Sequence, residues 1–267
     1  MAGSGSLEAI RQPSDAIRQP SQAPRATPAA TRPRYCSPTM KPWNTLATDP
    51  SPDGKELVLQ ERDGVYVIRV GGQELMSSAS HGSEEAMAEA GLEGLKGEPP
   101  SVLIGGLGLG YTLRAALDLL PSRASVVVVE ISAPVVAWNR GPLAHLAGAP
   151  LCDPRVTVEV AEIGRFLATT RRRFDAILLD VDNGPSALFR AGNQELYRQS
   201  GLAAFSGALR PGGALVVWSA VAAPRFVEEL RKAGFDAKEQ RIAARHGGGK
   251  AHHVLILGRP RPARGRR

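Results

Sequence analysis

The stretch SVLIGGLGLGYTLR, Ser101 to Arg114, passes from a short aliphatic run through three spaced glycines into a helix-length segment. A buried strand, a sharp turn and a helix in that order form the opening unit of a parallel α/β sheet. The alternation repeats downstream. Aliphatic runs SVVVVE, VTVEV, FDAILLD and GALVVWS are separated by YTLRAALDLL, APVVAWNRGPLAHL, IGRFLATT and QELYRQSGLAAFSGAL. Near-continuous aliphatic strands joined by helices predict a doubly wound, mostly parallel Rossmann-like α/β sheet covered on both faces. A helix over APRFVEELRKAGF, ended by Gly234, then leads to two late strands around KEQRIAA and HHVLILG. These are expected to add an antiparallel pair at the sheet edge.

Upstream of Ser101 the pattern differs. From Glu56, ELVLQERDGVYVIRVGGQELMSS alternates with period two and carries an Asp63–Gly64 turn, which predicts two or three antiparallel strands. A helix is expected over SEEAMAEAGLEGL, with Ser83 as its N-cap and two glutamates in its first turn. Residues 1–39 are rich in Pro, Ser, Gln, Ala and Arg and repeat the hexamer AIRQPS, so they cannot build a core. The expected organisation is a disordered tail over 1–39, or a start codon placed too far upstream. A small antiparallel β element over 40–80, a nucleotide-binding α/β domain over 81–257 and a basic disordered tail over 258–267 follow.

Charge narrows the function classes. The formal net charge is +7, but five arginines against Glu8 and Asp15 give residues 1–39 a charge of +3, and five arginines give residues 258–267 a charge of +5. The body is therefore near neutral, which argues against specific nucleic-acid recognition. No run approaches the ~20 apolar residues of a membrane span, and no apolar leader is evident, so a cytoplasmic protein without a membrane partner is expected. Cys36 and Cys152 have neither disulfide nor zinc spacing, and His246, His252 and His253 lack acids or thiols at ligand spacing. No metal is expected.

Ligands of such sheets bind beyond the carboxyl ends of the strands. In the first turn, Gly106, Gly108 and Gly110 let the backbone bend and approach a ligand without a Cβ. Their G-x-G-x-G spacing puts Tyr111 where a dinucleotide fingerprint needs glycine, which disfavours NAD. Glu130, ending the second strand, is placed to accept hydrogen bonds from both hydroxyls of a ribose; a solvated strand-end acid is the alternative. Glu162, after the third strand, could accept from an adenine amino group or head the next helix. Asp180, at the tip of the fourth, is placed to orient an amine or take its proton. Asp182 and Asn183 either shape the turn or hold an acceptor. His81 could act as acid or base or simply precede a helix cap. Trp138, Asn139 and Arg140 either line the adenine side or pack their helix.

The span from Ser101 to Ser219 resembles the spermidine synthase (polyamine aminopropyltransferase) family, a branch of the class I S-adenosylmethionine-dependent methyltransferase fold. The family's IIGGGDGGTLR is similar to IGGLGLGYTLR, its DPRV…GD to DPRVTVEVAE, its DSSDP to DVDNGP and its LKPGG to LRPGG. The resemblance implies S-adenosylmethionine or its decarboxylated form as co-substrate. It sets Gly106, Gly108 and Gly110 under the nucleotide, Glu130 on the ribose and Glu162 at the adenine. Asp180 falls on the catalytic aspartate, and Asp182 or Asn183 beside a small-molecule acceptor such as an amine. Two departures fall where the substrate chemistry lives, one at the aminopropyl end of the donor and one at the acceptor. Leu109 stands where the family's glycine loop carries an acid, and Asn183 where it carries a second aspartate. The expected activity is transfer of an aminopropyl or alkyl group; methyl transfer and a non-catalytic nucleotide-binding module are the alternatives. The β element and the edge hairpin offer surfaces for a homodimer.

Overall fold

The turn residues of the N-terminal sheet are dictated by chirality. Asp63 and Gly64 adopt φ of 51° and 81°, as a two-residue hairpin of this hand requires. They join strand β2 (Glu56–Arg62) to β3 (Val65–Val70), and Gly71–Gly72 repeats the device into β4 (Gln73–Ser77). With β1 (Asn44–Pro50) these form an antiparallel meander in chain order. The computed structural model describes residues 41–95, 98–181, 195–243 and 252–262, which belong to one compact unit. The strands expected from Glu56 onward are present. β1 is an addition: NTLATDP is mostly exposed and has no apolar alternation by which it could be read.

Helix α1 (Gly82–Leu92) starts two residues earlier than a Ser83 cap would place it. His81 holds the N-cap position, its carbonyl accepting from the amides of Glu84 and Glu85 at 3.2 and 3.4 Å. Ser83 is therefore not the cap. It lies inside the first turn, and its hydroxyl donates to Glu84 Oε2 at 2.6 Å. Glu84 and Glu85 do occupy the first turn.

The second sheet has seven strands: β5 (Ser101–Gly105), β6 (Ser125–Glu130), β7 (Val156–Val160), β8 (Phe174–Leu179), β9 (Leu209–Ser219), β10 (Phe235–Ala243) and β11 (His252–Pro260). Their spatial order is β7-β6-β5-β8-β9-β11-β10, parallel from β7 through β9, with β11 antiparallel to both β9 and β10. Between them run α2 (Tyr111–Leu119), α3 (Ala133–Arg140), α4 (Ile163–Thr169), α5 (Gln199–Ala208) and α6 (Pro224–Lys232). Two helices are shorter than their sequence windows. Gly141 and Pro142 end α3 at Arg140, and α5 begins only at Gln199.

Both faces of the sheet are buried, and strand alternation divides the core cleanly. Val102, Ile104, Val126, Val128, Leu178 and Val216 face α1, α2 and α3, together with Leu57, Leu59 and Ile68 of the N-terminal sheet. Leu103, Val127, Val129, Ile177, Leu179 and Val217 face α4, α5 and α6. Polar ties fix strand ends. The buried Asp175 carboxylate accepts from the Ser101 amide at 2.8 Å and from Arg210 at 2.7 Å, joining β5, β8 and β9. No described helix is long and apolar enough to cross a membrane.

Candidate active site

A cavity of about 470 Å³ opens at the carboxyl ends of β5, β6 and β8 and is roofed by β4, including Leu75 and Met76. Its floor is the loop from Gly106 to Gly110. There Gly106, at φ of 89°, donates its amide to the Val129 carbonyl at 2.9 Å, and a Cβ in its place would run into the Asp180 carbonyl oxygen. The Asp180 amide in turn donates to Gly105 O at 2.8 Å. Gly106 is thus needed for strand-end packing as well as for backbone access. Gly110, at φ of 84°, is the N-cap residue of α2.

Glu130 is buried beneath this loop and uses both oxygens on it: Oε2 accepts from the Leu107 amide and Oε1 from the Ser132 amide, each at 2.8 Å. The amides of Ile131 and Gly108 also favour its charged form. Asn139 completes the support. Its side-chain amide donates to the Gly108 and Val135 carbonyls, each at 2.9 Å, while Trp138 packs in the core and Arg140 points to solvent. Sequence reasoning offered Asn139 only as an adenine-side or packing residue. It is instead the anchor of the loop, and its one legible signal was an amide in the helix following an acid-tipped strand.

Glu162 lines the cavity and also caps α4, accepting from the Gly164 and Arg165 amides at 2.9 Å. Of the two roles offered by the sequence, heading the next helix is the one observed. Leu109 is 5% exposed and packs into the core beneath the loop while touching the cavity wall. Asp182, Asn183 and His246 lie outside the described residues. His81 stacks on Tyr111, ring centroids 4.4 Å apart, and its Nδ1 meets Glu85 at 2.9 Å. Among the described residues no three metal-binding side chains are grouped.

The electrostatics of the cavity are one-sided. Burial, and then the charges of Glu84 and Glu130, push the Asp180 carboxyl up to about 7. Burial likewise raises Glu84, opposed by the Ser83 hydroxyl, and Glu130, opposed by the Leu107 and Ser132 amides. Glu84, on α1, is a cavity residue that sequence reasoning treated only as a favourable helix-start acid. Lys55, the lysine of the described wall, lies 3.2 Å from Asp53. Burial lowers His253, whose Nδ1 is enclosed without a hydrogen-bond partner, so this ring supplies no compensating charge at neutral pH. Three acids that repel one another in a desolvated space are relieved by protons or by a cationic ligand.

The strand order, with its reversed terminal pair, and the cavity at the carboxyl ends define a protein of the methyltransferase-like α/β class. The sequence model of the spermine/spermidine synthase domain matches residues 80–228, and the chain belongs to that family. Its relatives include a polyamine aminopropyltransferase of Synechococcus sp. (strain JA-2-3B'a(2-13)), 34% identical over 132 residues, covering 48% of this chain and 40% of the relative. Polyamine aminopropyltransferase 2 of Hyperthermus butylicus is 31% identical over 139 residues, covering 50% of this chain and 43% of the relative. The chain thus spans less than half the length of these relatives. Spermidine synthase in complex with the transition-state analogue AdoDATO superposes with a TM-score of 0.62 at 18% identity, over 80% of this chain and 71% of that one. The Thermotoga maritima spermidine synthase gives the same TM-score at 17% identity, with the same coverage. At this identity the likeness is one of fold.

Proposed function

We propose that the chain is an aminopropyltransferase that takes decarboxylated S-adenosylmethionine as donor and a small amine as acceptor. The observation that carries this reading is the desolvated Asp180 carboxylate, raised to about 7 beside two further acids in a cavity suited to a cation. Family membership and the names of the relatives support it. In this reading the backbone at Gly106, Gly108 and Gly110 underlies the nucleoside. Glu130 accepts from the ribose hydroxyls, and Glu162 accepts from the adenine amino group. Asp182 and Asn183 contribute to the acceptor side.

The acceptor reaches the cavity as an ammonium, and Asp180 takes its proton because a carboxyl near 7 is matched to a base working near neutrality. The freed nitrogen lone pair attacks the methylene carbon bonded to the sulfonium. The C–N bond forms as the C–S bond breaks, and the bonding pair leaves on sulfur as neutral methylthioadenosine. Rate enhancement comes chiefly from alignment of amine, carbon and sulfur.

One observation favours a second reading. The apolar Leu109 removes a loop carboxylate, which makes methyl transfer from S-adenosylmethionine the competitor. Incubation with each nucleotide and an amine panel, followed by mass spectrometry, decides between them. Methylthioadenosine and an alkylated amine are expected. S-adenosylhomocysteine would establish the competing reaction, and tight nucleotide binding without either product would make the chain a binding module.

A further inference from the structure

The sheet edge opposite the cavity carries charge that the proposed reaction does not use. Arg171, Arg172 and Arg173 are exposed and lead directly into β8, at the amino end of that strand. Register carries the feature across the sheet. Phe174, the first residue of β8, pairs with Leu209 beside Arg210 on β9, and Gly258 of antiparallel β11 pairs with Leu215, which brings Arg259 and Arg261 to the same end. The Arg259 guanidinium donates to the Gly212 carbonyl at 2.9 Å, and that of Arg261 to the carbonyl of Arg231 in the last turn of α6. Arginines thus border the edge from β8 across β9 and β11 to α6. We propose that this edge binds double-stranded nucleic acid through the phosphate backbone, without reading sequence.

Little of this charge is neutralised within the fold. Among the described residues, Arg210 alone of these arginines has a carboxylate within ion-pair distance, Asp175 at 2.7 Å. Arg231 donates to the Ala237 carbonyl at 2.8 Å and Arg259 to the Glu93 carbonyl at 3.0 Å, and a carbonyl holds a guanidinium in place without cancelling its charge. Asp236 stands opposite Arg259 in the register, while Glu229 is paired with Lys232 and Glu98 with Arg123. Arg171 to Arg173 have no comparable structural task. Among the described residues, the side-chain hydrogen bond they make runs from Arg173 to the adjacent Arg172 carbonyl at 3.3 Å.

The composition of the edge selects the partner. Planar guanidinium forks match phosphate oxygens two at a time, and strands about 4.8 Å apart spread the arginines over roughly 15 Å from β8 to β10. A duplex carries about one charge per 1.7 Å of axis, so that span meets roughly four or five phosphates of one strand. The rings beside the arginines, Phe174 and Phe235, are buried, which leaves no platform there for stacking the bases of a single strand. None of the exposed large hydrophobic side chains belongs to these segments, so an interfacial contact with a membrane would have nothing to bury. Phosphate contacts position a duplex and carry no sequence information.

The test is fluorescence anisotropy of a labelled DNA duplex titrated with the full chain at several salt concentrations. Wild-type protein should bind with a Kd of about 1–100 μM at physiological salt, and affinity should fall about a hundredfold between about 50 and 200 mM. Replacing Arg171, Arg172 and Arg173 together by Gln should weaken binding about tenfold or more and flatten the slope of log K against log salt by about 2 to 3. The melting temperature should stay within about 2 °C, since these side chains are exposed. Arg11→Gln, Arg18→Gln and Arg25→Gln together remove the same charge from the N-terminal segment and should cost less than about threefold. Replacing residues 171–173 by Lys keeps the charge and should recover most of the slope. Equal losses in the two Gln variants would assign binding to net charge and overturn the proposal. So would a Lys variant that recovers nothing, a wild type that leaves the duplex unbound, or one that binds anionic phospholipid vesicles instead. Methylthioadenosine affinity should be the same in every variant, so the aminopropyltransferase reading stands or falls separately.

Discussion

Asp180 is held where folding alone would not keep it. Its carboxyl is raised from an ordinary 3.8 to about 7, so the folded chain retains this proton at a pH where the unfolded chain has lost it. The sign follows from linkage: this group favours the folded state fully below about pH 4, and the advantage is lost as pH rises toward about 7. Asp180→Asn removes the ionising group. Its melting temperature should exceed that of wild type by a few degrees at about pH 8, and the difference should fade on acidification toward about pH 4. Turnover should disappear at the same time, while methylthioadenosine affinity stays within about threefold, because the proposed role of the residue is toward the amine. In the wild type, kcat/KM should rise with pH along a limb centred near 7. Differential scanning fluorimetry across pH and a pH–rate profile check these outcomes, and a variant that is less stable at pH 8 would remove the strain from the account. Asp180 was legible because aliphatic strands announce their ends. Glu84 was not, because SEEA reads equally well as a helix start, and only the packing of α1 against β8 and β9 directs its carboxylate inward.

At the scale of elements, the glycine loop is rigid because its supports come from neighbours in space rather than in sequence. Glu130 at the end of β6 and Asn139 on α3 hold its amides and carbonyls before any ligand arrives, which is preorganisation for binding. Asn139→Ala should cost about 1–3 kcal/mol of stability, since Gly108 O loses its side-chain partner, and should weaken methylthioadenosine binding. Arg155 provides the contrast. Its guanidinium donates to the Leu117 and Leu120 carbonyls at 2.9 and 2.7 Å while paired with Asp153, closing the C-terminal end of α2. The DPRV motif that carried part of the resemblance is therefore a structural tie. Arg155→Ala should lower the melting temperature and leave nucleoside Kd unchanged, as denaturation and calorimetry on one preparation would reveal. The strands themselves were legible as continuous aliphatic runs. The helix limits were not, since Gly141–Pro142 breaks a window whose apolar spacing continues past it.

For the whole molecule, the two sheets share one core, Leu57, Leu59 and Ile68 packing with Val102, Ile104 and Leu178. The class of the larger sheet could be read from strand–helix alternation alone. That the smaller sheet roofs the site could not be, because Leu75 and Met76 look in sequence like ordinary members of a hairpin. The shared cavity makes a specific demand on dynamics. A ligand that contacts only the glycine loop would slow amide exchange there and nowhere else, whereas one enclosed between floor and roof must also suppress opening of β4. Methylthioadenosine should therefore increase protection at Leu107 to Thr112 and, together with it, across Gln73 to Ser77, with β10 at the far edge unaffected. Hydrogen exchange measured with and without the nucleoside tests this. Protection confined to the loop would show that the N-terminal sheet stabilises the core without closing over the ligand, and the acids of the cavity would then be more hydrated than their raised titration requires. Protection of both segments would make ligand affinity depend on the stability of the small sheet. In that case a destabilising change at Ile68, which is buried behind the roof and does not line the cavity, should weaken nucleoside binding as well as lower the melting temperature.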